Sequence, residues 1–146
     1  MANPHRDPLA AFPPGFFDND YCAQAFGIKV TEIAPGRATA VMTVRKDMLN
    51  GHGTCHGGMI FTLADTAFAI ASNSRGDAAV AQFCSIAYMQ PAALGDELTA
   101  VATESVLAGP RGVYDIIVTR GDLVIAAFRG HARTIERRVP ANDDVR

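Results

Sequence analysis

The sequence predicts an α+β domain in which one long buried helix is wrapped by a single curved antiparallel β-sheet. The central segment, residues 56–74, has apolar residues at helical spacing almost all the way round, which is typical of a helix inside a fold. The other apolar segments are short, rich in strand-forming residues and separated by Gly and Pro turns. Because strands and helices do not alternate along the chain, the fold is not α/β.

The remaining elements follow from local signals along the chain. A short helix over 16–26 ends at Gly27, the residue type that most often follows a helix C-terminus. Strands 28–34 and 37–44 flank the turn pair Pro35-Gly36 and form a hairpin. After the long helix come four strands, and short Gly-containing turns join the last three into an antiparallel meander. These four strands are predicted over 78–89, 97–107, 113–120 and 123–135.

Composition excludes several classes of protein. The chain has 146 residues, 49% of them hydrophobic and 19% charged, which suits one globular domain. Its formal net charge is −2 without any run of Lys or Arg, so we expect no nucleic-acid partner. The cysteines are too few and too scattered for a disulfide framework, and we expect reduced thiols at Cys22, Cys55 and Cys84.

The chain is divided by its patterning into a loose N-terminal arm (1–15), one domain (16–138) and a C-terminal tail (139–146). The proline-rich start lacks the charged and apolar regions of a signal peptide. The most apolar stretch, 59–71, contains Thr62, Asp65 and Thr66, and it is too short and too polar to span a bilayer. We therefore expect no membrane insertion and a cytoplasmic location.

Two features of the long helix suggest chemistry. His56-Gly57-Gly58 opens the helix, where free amides at the positive end of the macrodipole can hold a phosphate or a developing oxyanion. The alternative is that these glycines only allow tight packing. Asp65 is the one ionisable residue between His56 and Arg75, and burial would raise its pKa toward that of a useful base or nucleophile. The alternative there is a structural carboxylate that caps a neighbouring loop.

The spacing of these two features has a geometric consequence. Gly57 and Asp65 are eight residues apart, so they are separated by about 12 Å along the helix and by roughly 80° around it. A reacting carbonyl needs its donor and its base each within about 3 Å. If both residues act on one bond, each must come from a different chain, which predicts a symmetric dimer with sites at the interface.

The stretch from Asn50 to Asp65, NGHGTCHGGMIFTLAD, and its continuation TAFAIASNS resemble the hotdog-fold thioesterases. Within them the chain is most similar to the phenylacetate-degradation branch, which acts on hydroxyphenylacetyl-CoA; GVYDI (112–116) and AFRG (127–130) add to this. The resemblance implies that Asp65 is the catalytic carboxylate, Gly57 the backbone donor to the thioester carbonyl, and Asn50 a polar residue that places the water or the carbonyl. It also implies that Asp65 comes from the protomer opposite Gly57, and that dimers pair into a homotetramer.

Supporting roles are less specific. Thr66 could orient Asp65 or the water, and His56 could line the site or cap the helix. Asp65 would either attack the thioester, giving a mixed anhydride, or deprotonate a water. Coenzyme A is part of the substrate, so we expect neither a cofactor nor a metal. Its phosphates need basic residues, for which Arg111, Arg129 and Arg133 are candidates, although each could equally be a solvated surface residue.

Rival interpretations remain open at this point. His52, Cys55 and His56 offer metal ligands, but no second ligand pair accompanies them. A Cys55–His56 nucleophile pair is unfavourable because adjacent side chains seldom reach one substrate atom. Aromatic residues could line an acyl pocket or simply fill the core, namely Phe61, Phe68, Tyr88 and Tyr114. The alternatives for function are a non-catalytic acyl-CoA binding protein and a thioesterase for medium-chain acyl groups.

Overall fold

The computed structural model describes residues 7–137, and these form two α-helices and six strands. The helices are α1 (Tyr21–Ala25) and α2 (Gly57–Asn73), and short 3₁₀ turns lie at Pro8–Ala11 and Lys46–Met48. The strands are β1 (Lys29–Ala34), β2 (Arg37–Thr43), β3 (Asp77–Tyr88), β4 (Glu97–Ala108), β5 (Arg111–Arg120) and β6 (Leu123–Arg137).

All six strands belong to one antiparallel sheet in the order β1-β2-β4-β5-β6-β3. The β1–β2 hairpin turns at Gly36, whose φ of 72° is one that glycine adopts without strain. The strands β4, β5 and β6 form the predicted meander. Because β3 follows α2 and pairs only with β6, it forms one edge of the sheet. The predicted α+β hotdog architecture is confirmed.

Helix α2 lies against the concave face of the sheet and contacts every strand. Its buried side chains provide the centre of the core and include Leu63, Ala64, Ala67 and Phe68. Gly130 on β6 allows this packing, since a Cβ there would lie 2.7 Å from the Phe68 ring. The side chains that stay only half-buried form a stripe along the other side of the helix, with Asp65 near its middle.

The first helix is shorter than the sequence predicts. It spans only Tyr21–Ala25, because the Asp20 carboxylate accepts a hydrogen bond from the Ala23 N–H and starts the helix there. The preceding segment instead forms turns that pack Phe16 and Phe17 against Phe12. The apolar residues that suggested a longer helix are therefore used in a cluster of rings.

The predicted arm and tail lie partly beyond the part of the chain that the structure describes. Residues 1–6 of the arm and the whole of the tail 139–146 are outside it, as is residue 138. The division into arm, domain and tail therefore stays a prediction. Neither α-helix within residues 7–137 has the length and apolar character needed to cross a membrane.

Candidate active site

The start of α2 is organised by His56. Its Nδ1 accepts a hydrogen bond from the Gly58 N–H at 2.9 Å, so the imidazole caps the helix. The His56 carbonyl accepts from Met59 and Ile60 in the first turn. Within residues 7–137, the Gly57 N–H has no acceptor. One amide at the positive end of the helix therefore remains available to an oxyanion or a carbonyl oxygen.

Tyr88, at the end of β3, fixes the position of Gly57. Its hydroxyl donates to the Gly57 carbonyl at 2.8 Å, and its ring lies directly over the glycine. A Cβ at position 57 would be 3.0 Å from the Tyr88 Cζ and Oη atoms, closer than ordinary contact. The sequence suggested that Gly57 permits a close approach, and the group that approaches is this tyrosine.

Asn50 organises the loop that precedes the helix. Its Oδ1 accepts hydrogen bonds from the backbone N–H groups of His52 and Thr54, and its Nδ2 donates to the Thr54 hydroxyl at 3.1 Å. An amide nitrogen carries two hydrogens, and the second has no acceptor in the described part of the chain. Asn50 therefore stabilises the loop, and one N–H of its Nδ2 group remains free to bind a ligand.

These groups share a small surface cleft of about 320 Å³. Asn50, Gly57 and Tyr88 line it, together with Ile60 and the segment that follows β3. The cleft thus presents a backbone donor and an amide side chain beside an aromatic wall. That combination can bind a polarised carbonyl group. Cys55 and Thr54 also line the cleft, but burial raises the pKa of the Cys55 thiol, and within residues 7–137 the lining contains no carboxylate or imidazole that could act as a base.

The carboxylate of Asp65 lies elsewhere on the helix. It is half-buried, and within residues 7–137 it has neither a hydrogen-bond donor nor an ion-pair partner. Burial raises the pKa of Asp65, and the negative charge of Asp20 adds to the effect. A carboxylate held without partners is costly to the fold and reactive toward a proton or an electrophile. The alternative of a loop-capping carboxylate has no contact to support it here.

Strand β3 gives a measure of the distance between Gly57 and Asp65. Tyr88 contacts Gly57, whereas the Cys84 thiol has its pKa raised by burial and by the charge of Asp65. Tyr88 and Cys84 pair with β6 residues that are four positions apart, about 13 Å along the strand. Helix α2 sets the separation directly, since Gly57 and Asp65 lie eight residues apart on it, about 12 Å along its axis. The donor and the carboxylate of one chain are therefore too far apart to act on one carbonyl.

Thr66 points away from the role suggested for it. Its hydroxyl donates to the Thr62 carbonyl at 2.7 Å, and its side chain lines a second cleft of about 930 Å³. That cleft lies between the N-terminal segment and β1, and Asp65 does not line it. Asp20 does, and its charge reaches Asp65. A role for Thr66 in orienting the carboxylate stays a prediction.

The rival chemistries gain no support from the geometry. Cys55 is buried, burial raises the pKa of its thiol, and the His56 imidazole is turned to the helix start instead. Residues 7–137 contain no group of three or more His, Cys, Asp or Glu side chains arranged around a metal position. Phe68 and Tyr114 pack in the core, where their rings are 5.6 Å apart, and Phe61 packs on Phe128. Among the aromatic candidates, Tyr88 is the one that lines the cleft.

Comparison with known proteins identifies the family of this chain. The sequence profile of the Thioesterase superfamily matches residues 52–127. The acyl-coenzyme A thioesterase PaaI of Escherichia coli (strain K12) is 48% identical over 120 residues, which cover 82% of this chain and 86% of that protein.

Solved structures lead to the same family. The structure of E. coli PaaI, from the phenylacetic acid degradation operon, superimposes with a TM-score of 0.83 at 45% identity and covers 85% of this chain and 91% of that one. A mutant of the phenylacetic acid degradation protein PaaI from Thermus thermophilus gives 0.78 at 40% identity, covering 80% and 100%. The chain thus belongs to the hotdog-fold thioesterase superfamily, a family of thioester hydrolases, and within it to the branch that contains PaaI.

Proposed function

We propose that this protein hydrolyses acyl-CoA thioesters to a free acid and coenzyme A. The observation that carries the proposal is a pair of unused groups on α2: the Gly57 N–H and the Asp65 carboxylate each lack a partner within residues 7–137. One is a donor at the positive end of a helix, and the other is a carboxylate of raised pKa. Acyl transfer needs these two functions.

In the proposed mechanism, the thioester carbonyl oxygen accepts a hydrogen bond from the Gly57 N–H. Negative charge develops on this oxygen as the nucleophile adds, and the helix start stabilises it. Asp65 either attacks the carbonyl carbon, giving a mixed anhydride that water hydrolyses after coenzyme A has left, or takes a proton from the attacking water. The C–S bond then breaks, and coenzyme A leaves as a thiolate that is protonated afterwards. Coenzyme A belongs to the substrate, and the scheme uses no metal or cofactor.

The distance between the two groups makes a second copy of the chain part of the proposal. Two surfaces lie beside Asp65: the half-buried stripe of α2, and strand β3, which is an exposed edge of 12 residues with a single charge, at Asp77. Phe83 and Tyr88 on that edge are 62% and 50% exposed. Long apolar edge strands are normally covered. We propose a homodimer in which each site takes Gly57 and Asn50 from one protomer and Asp65 from the other, with dimers paired into tetramers.

For the acyl group, we propose aromatic substrates of the ring-hydroxylated phenylacetyl type. The support is the 48% identity to PaaI and the aromatic wall that Tyr88 gives the cleft. A role in phenylacetate degradation and a cytoplasmic location, where acyl-CoA esters are made, belong to the same proposal. The alternatives to this proposal are a thioesterase for medium-chain acyl groups and a non-catalytic acyl-CoA binding protein.

The first test is thiol release from phenylacetyl-CoA, its ring-hydroxylated forms and octanoyl-CoA. We expect turnover of the aromatic esters by the wild type and its loss in Asp65→Ala. Asp122→Ala, which removes an exposed carboxylate from the β5–β6 turn, is the matched control and should keep full activity. Binding of CoA esters without turnover would favour the binding protein, and a preference for octanoyl-CoA would favour the medium-chain enzyme.

Mixing two inactive variants tests the shared site. If sites are shared, an Asn50→Ala chain paired with an Asp65→Ala chain contains one intact site and one doubly defective site. Random pairing after co-expression should then restore about a quarter of wild-type activity. Sites made by a single chain would show no recovery, and this outcome would remove the dimeric arrangement while leaving the thioesterase proposal intact.

A further inference from the structure

Two arginines on the outer face of the sheet have no acidic partner. Five other arginines each pair with a carboxylate, for example Arg129 with Asp115 at 2.7 Å. Within residues 7–137, Arg111 and Arg133 make no ion pair and no side-chain hydrogen bond, and both are exposed. The sequence offered Arg111, Arg129 and Arg133 equally as ligands for coenzyme A phosphates, and the structure separates Arg129 from the other two.

Arg111 and Arg133 are also directly opposite each other. They form a cross-strand pair in the β5–β6 ladder, in the same register and on the same face as the bonded pair Asp115–Arg129. Opposed residues of an antiparallel pair have Cβ atoms about 5 Å apart. Their outer neighbours in the same row are Ala108 on β4 and Val80 on β3, so no carboxylate adjoins the pair across the sheet.

Like charges at such close range destabilise a sheet unless something of opposite charge lies between them. Two adjacent guanidinium groups present several donors in fixed planes, which suit the oxygens of a phosphate group. The one carboxylate nearby on this face, Asp115, already accepts two hydrogen bonds from Arg129. The pair therefore offers two cations without partners, side by side on the described surface, to a phosphate dianion.

We propose that Arg111 and Arg133 bind the phosphates at the nucleotide end of the acyl-CoA substrate. This inference rests on the proposed function, which supplies a ligand with a phosphorylated end and a reactive thioester end. It assigns recognition of coenzyme A to two residues that are remote from the chemistry.

The ladder also indicates which active site the pair serves. The charge of Asp65 acts on Cys84, whose β6 partner Gly130 is three residues from Arg133, or about 10 Å along the strand. Tyr88, which contacts Gly57, pairs with Ala126 on β6. Ala126 is seven residues from Arg133, or about 23 Å along the strand. The pantetheine arm has about thirteen bonds between sulfur and phosphorus, so it spans roughly 15 Å when extended. Along the strand the arginines are thus closer to the Asp65 of their own chain than to its Gly57, which favours the site to which their own chain contributes Asp65.

The test compares a full substrate with one that lacks phosphates. KM and kcat are measured for phenylacetyl-CoA and for the phenylacetyl thioester of N-acetylcysteamine with Arg111→Gln, Arg133→Gln and the double variant. We expect KM for the CoA ester to rise about fivefold to tenfold with each substitution, with kcat within twofold. The truncated ester should be unaffected. Arg37→Gln, which removes an exposed arginine from β2, is the matched control. Equal KM values for wild type and double variant would overturn the inference.

Direct binding separates this inference from the proposed function. Calorimetry with adenosine 3′,5′-bisphosphate should show binding by the wild type and a Kd raised at least tenfold in the double variant. If the wild type hydrolyses no thioester but this difference is seen, the anion site stands and the proposed function fails. If hydrolysis is normal and both proteins bind the bisphosphate equally, the anion site fails alone. Inorganic phosphate that competes as strongly as the bisphosphate would mean a free-phosphate site and would overturn the assignment to coenzyme A.

The mixed-chain experiment tests the assignment to one site. An Arg133→Gln change is added either to the Asn50→Ala chain, which supplies the working Asp65, or to the Asp65→Ala chain. KM of the restored activity should rise only in the first combination. A rise in the second combination alone would place the arginines with Gly57 and would overturn the distance argument.

Discussion

Replacing Asp65 by Asn should make the protein inactive and more stable. The carboxylate is half-buried without a partner in the described part of the chain, and burial raises its pKa. Between the unfolded pKa of about 3.9 and the higher folded pKa, the native state binds more protons than the unfolded state. Stability therefore falls as pH rises through this window, and above it the loss is complete. The Asn side chain has almost the same shape and no charge, so it removes the loss.

The size of the effect follows from the partial burial of the group. An unsatisfied buried acceptor costs about 1–3 kcal/mol, more when it is charged, and solvent reduces this cost at a half-buried site. We expect Asp65→Asn to raise the free energy of unfolding at pH 7.5 by about 1 kcal/mol, or to raise Tm by about 2–4 °C. The gain should vanish below pH 4. The same change should lower kcat by at least about 100-fold, as expected for loss of a general base or nucleophile.

Urea unfolding at pH 7.5 and pH 3.5 measures the first effect, at one fixed protein concentration because association adds to stability. Thiol release measures the second. The control is Asp115→Asn, which removes a carboxylate that is bonded to Arg129 and should give no gain at pH 7.5. A loss of stability in Asp65→Asn at pH 7.5 would show that the carboxylate is a structural acceptor, and the argument from its missing partners would fail.

Three further substitutions test the surroundings of the site. His56→Ala removes the cap of α2 and should lower the free energy of unfolding by about 1 kcal/mol, whereas His56→Asn should restore most of it; equal losses in urea unfolding would exclude capping. Tyr88→Phe removes the 2.8 Å bond to the Gly57 carbonyl and should lower kcat/KM about fivefold at unchanged Tm; unchanged kcat/KM would mean that ring contact alone positions the glycine. Gly130→Ala brings a Cβ to 2.7 Å from the Phe68 ring and should cost about 1–3 kcal/mol; wild-type stability would show that the core yields.

The fold was predictable because its signals are local and repeated. Helix α2 is apolar on nearly every side and must be enclosed, and the Gly-containing turns leave the last three strands no arrangement simpler than a meander. The prediction failed at α1, where Phe16 and Phe17 suggested an earlier helix start but pack in the Phe12 cluster. The spacing of apolar residues in the sequence predicts which residues are buried, but it does not predict which residues they pack against.

The site was predictable only in part. Asp65 and Gly57 were identifiable because a lone carboxylate and a glycine pair are unusual on a buried helix. The contact between Tyr88 and Gly57 was not, since it joins residues 31 positions apart through strand β3. The distinction between Arg129 and the pair Arg111–Arg133 depends on the register of β5 and β6, which a single sequence does not specify.

One helix inside one sheet constrains where chemistry can occur. The amides that can bind an oxyanion lie at the helix start, which Tyr88 covers from the edge strand, whereas a carboxylate can stay unpaired only where the sheet leaves the helix half-covered. The sheet encloses the rest of α2, so the uncovered stripe and the edge β3 lie side by side on one surface. In the homodimer that we propose, a second copy covers this surface and completes the sheet and the site in one step. Loss of the dimer should therefore abolish activity even in chains in which every residue of the site is intact.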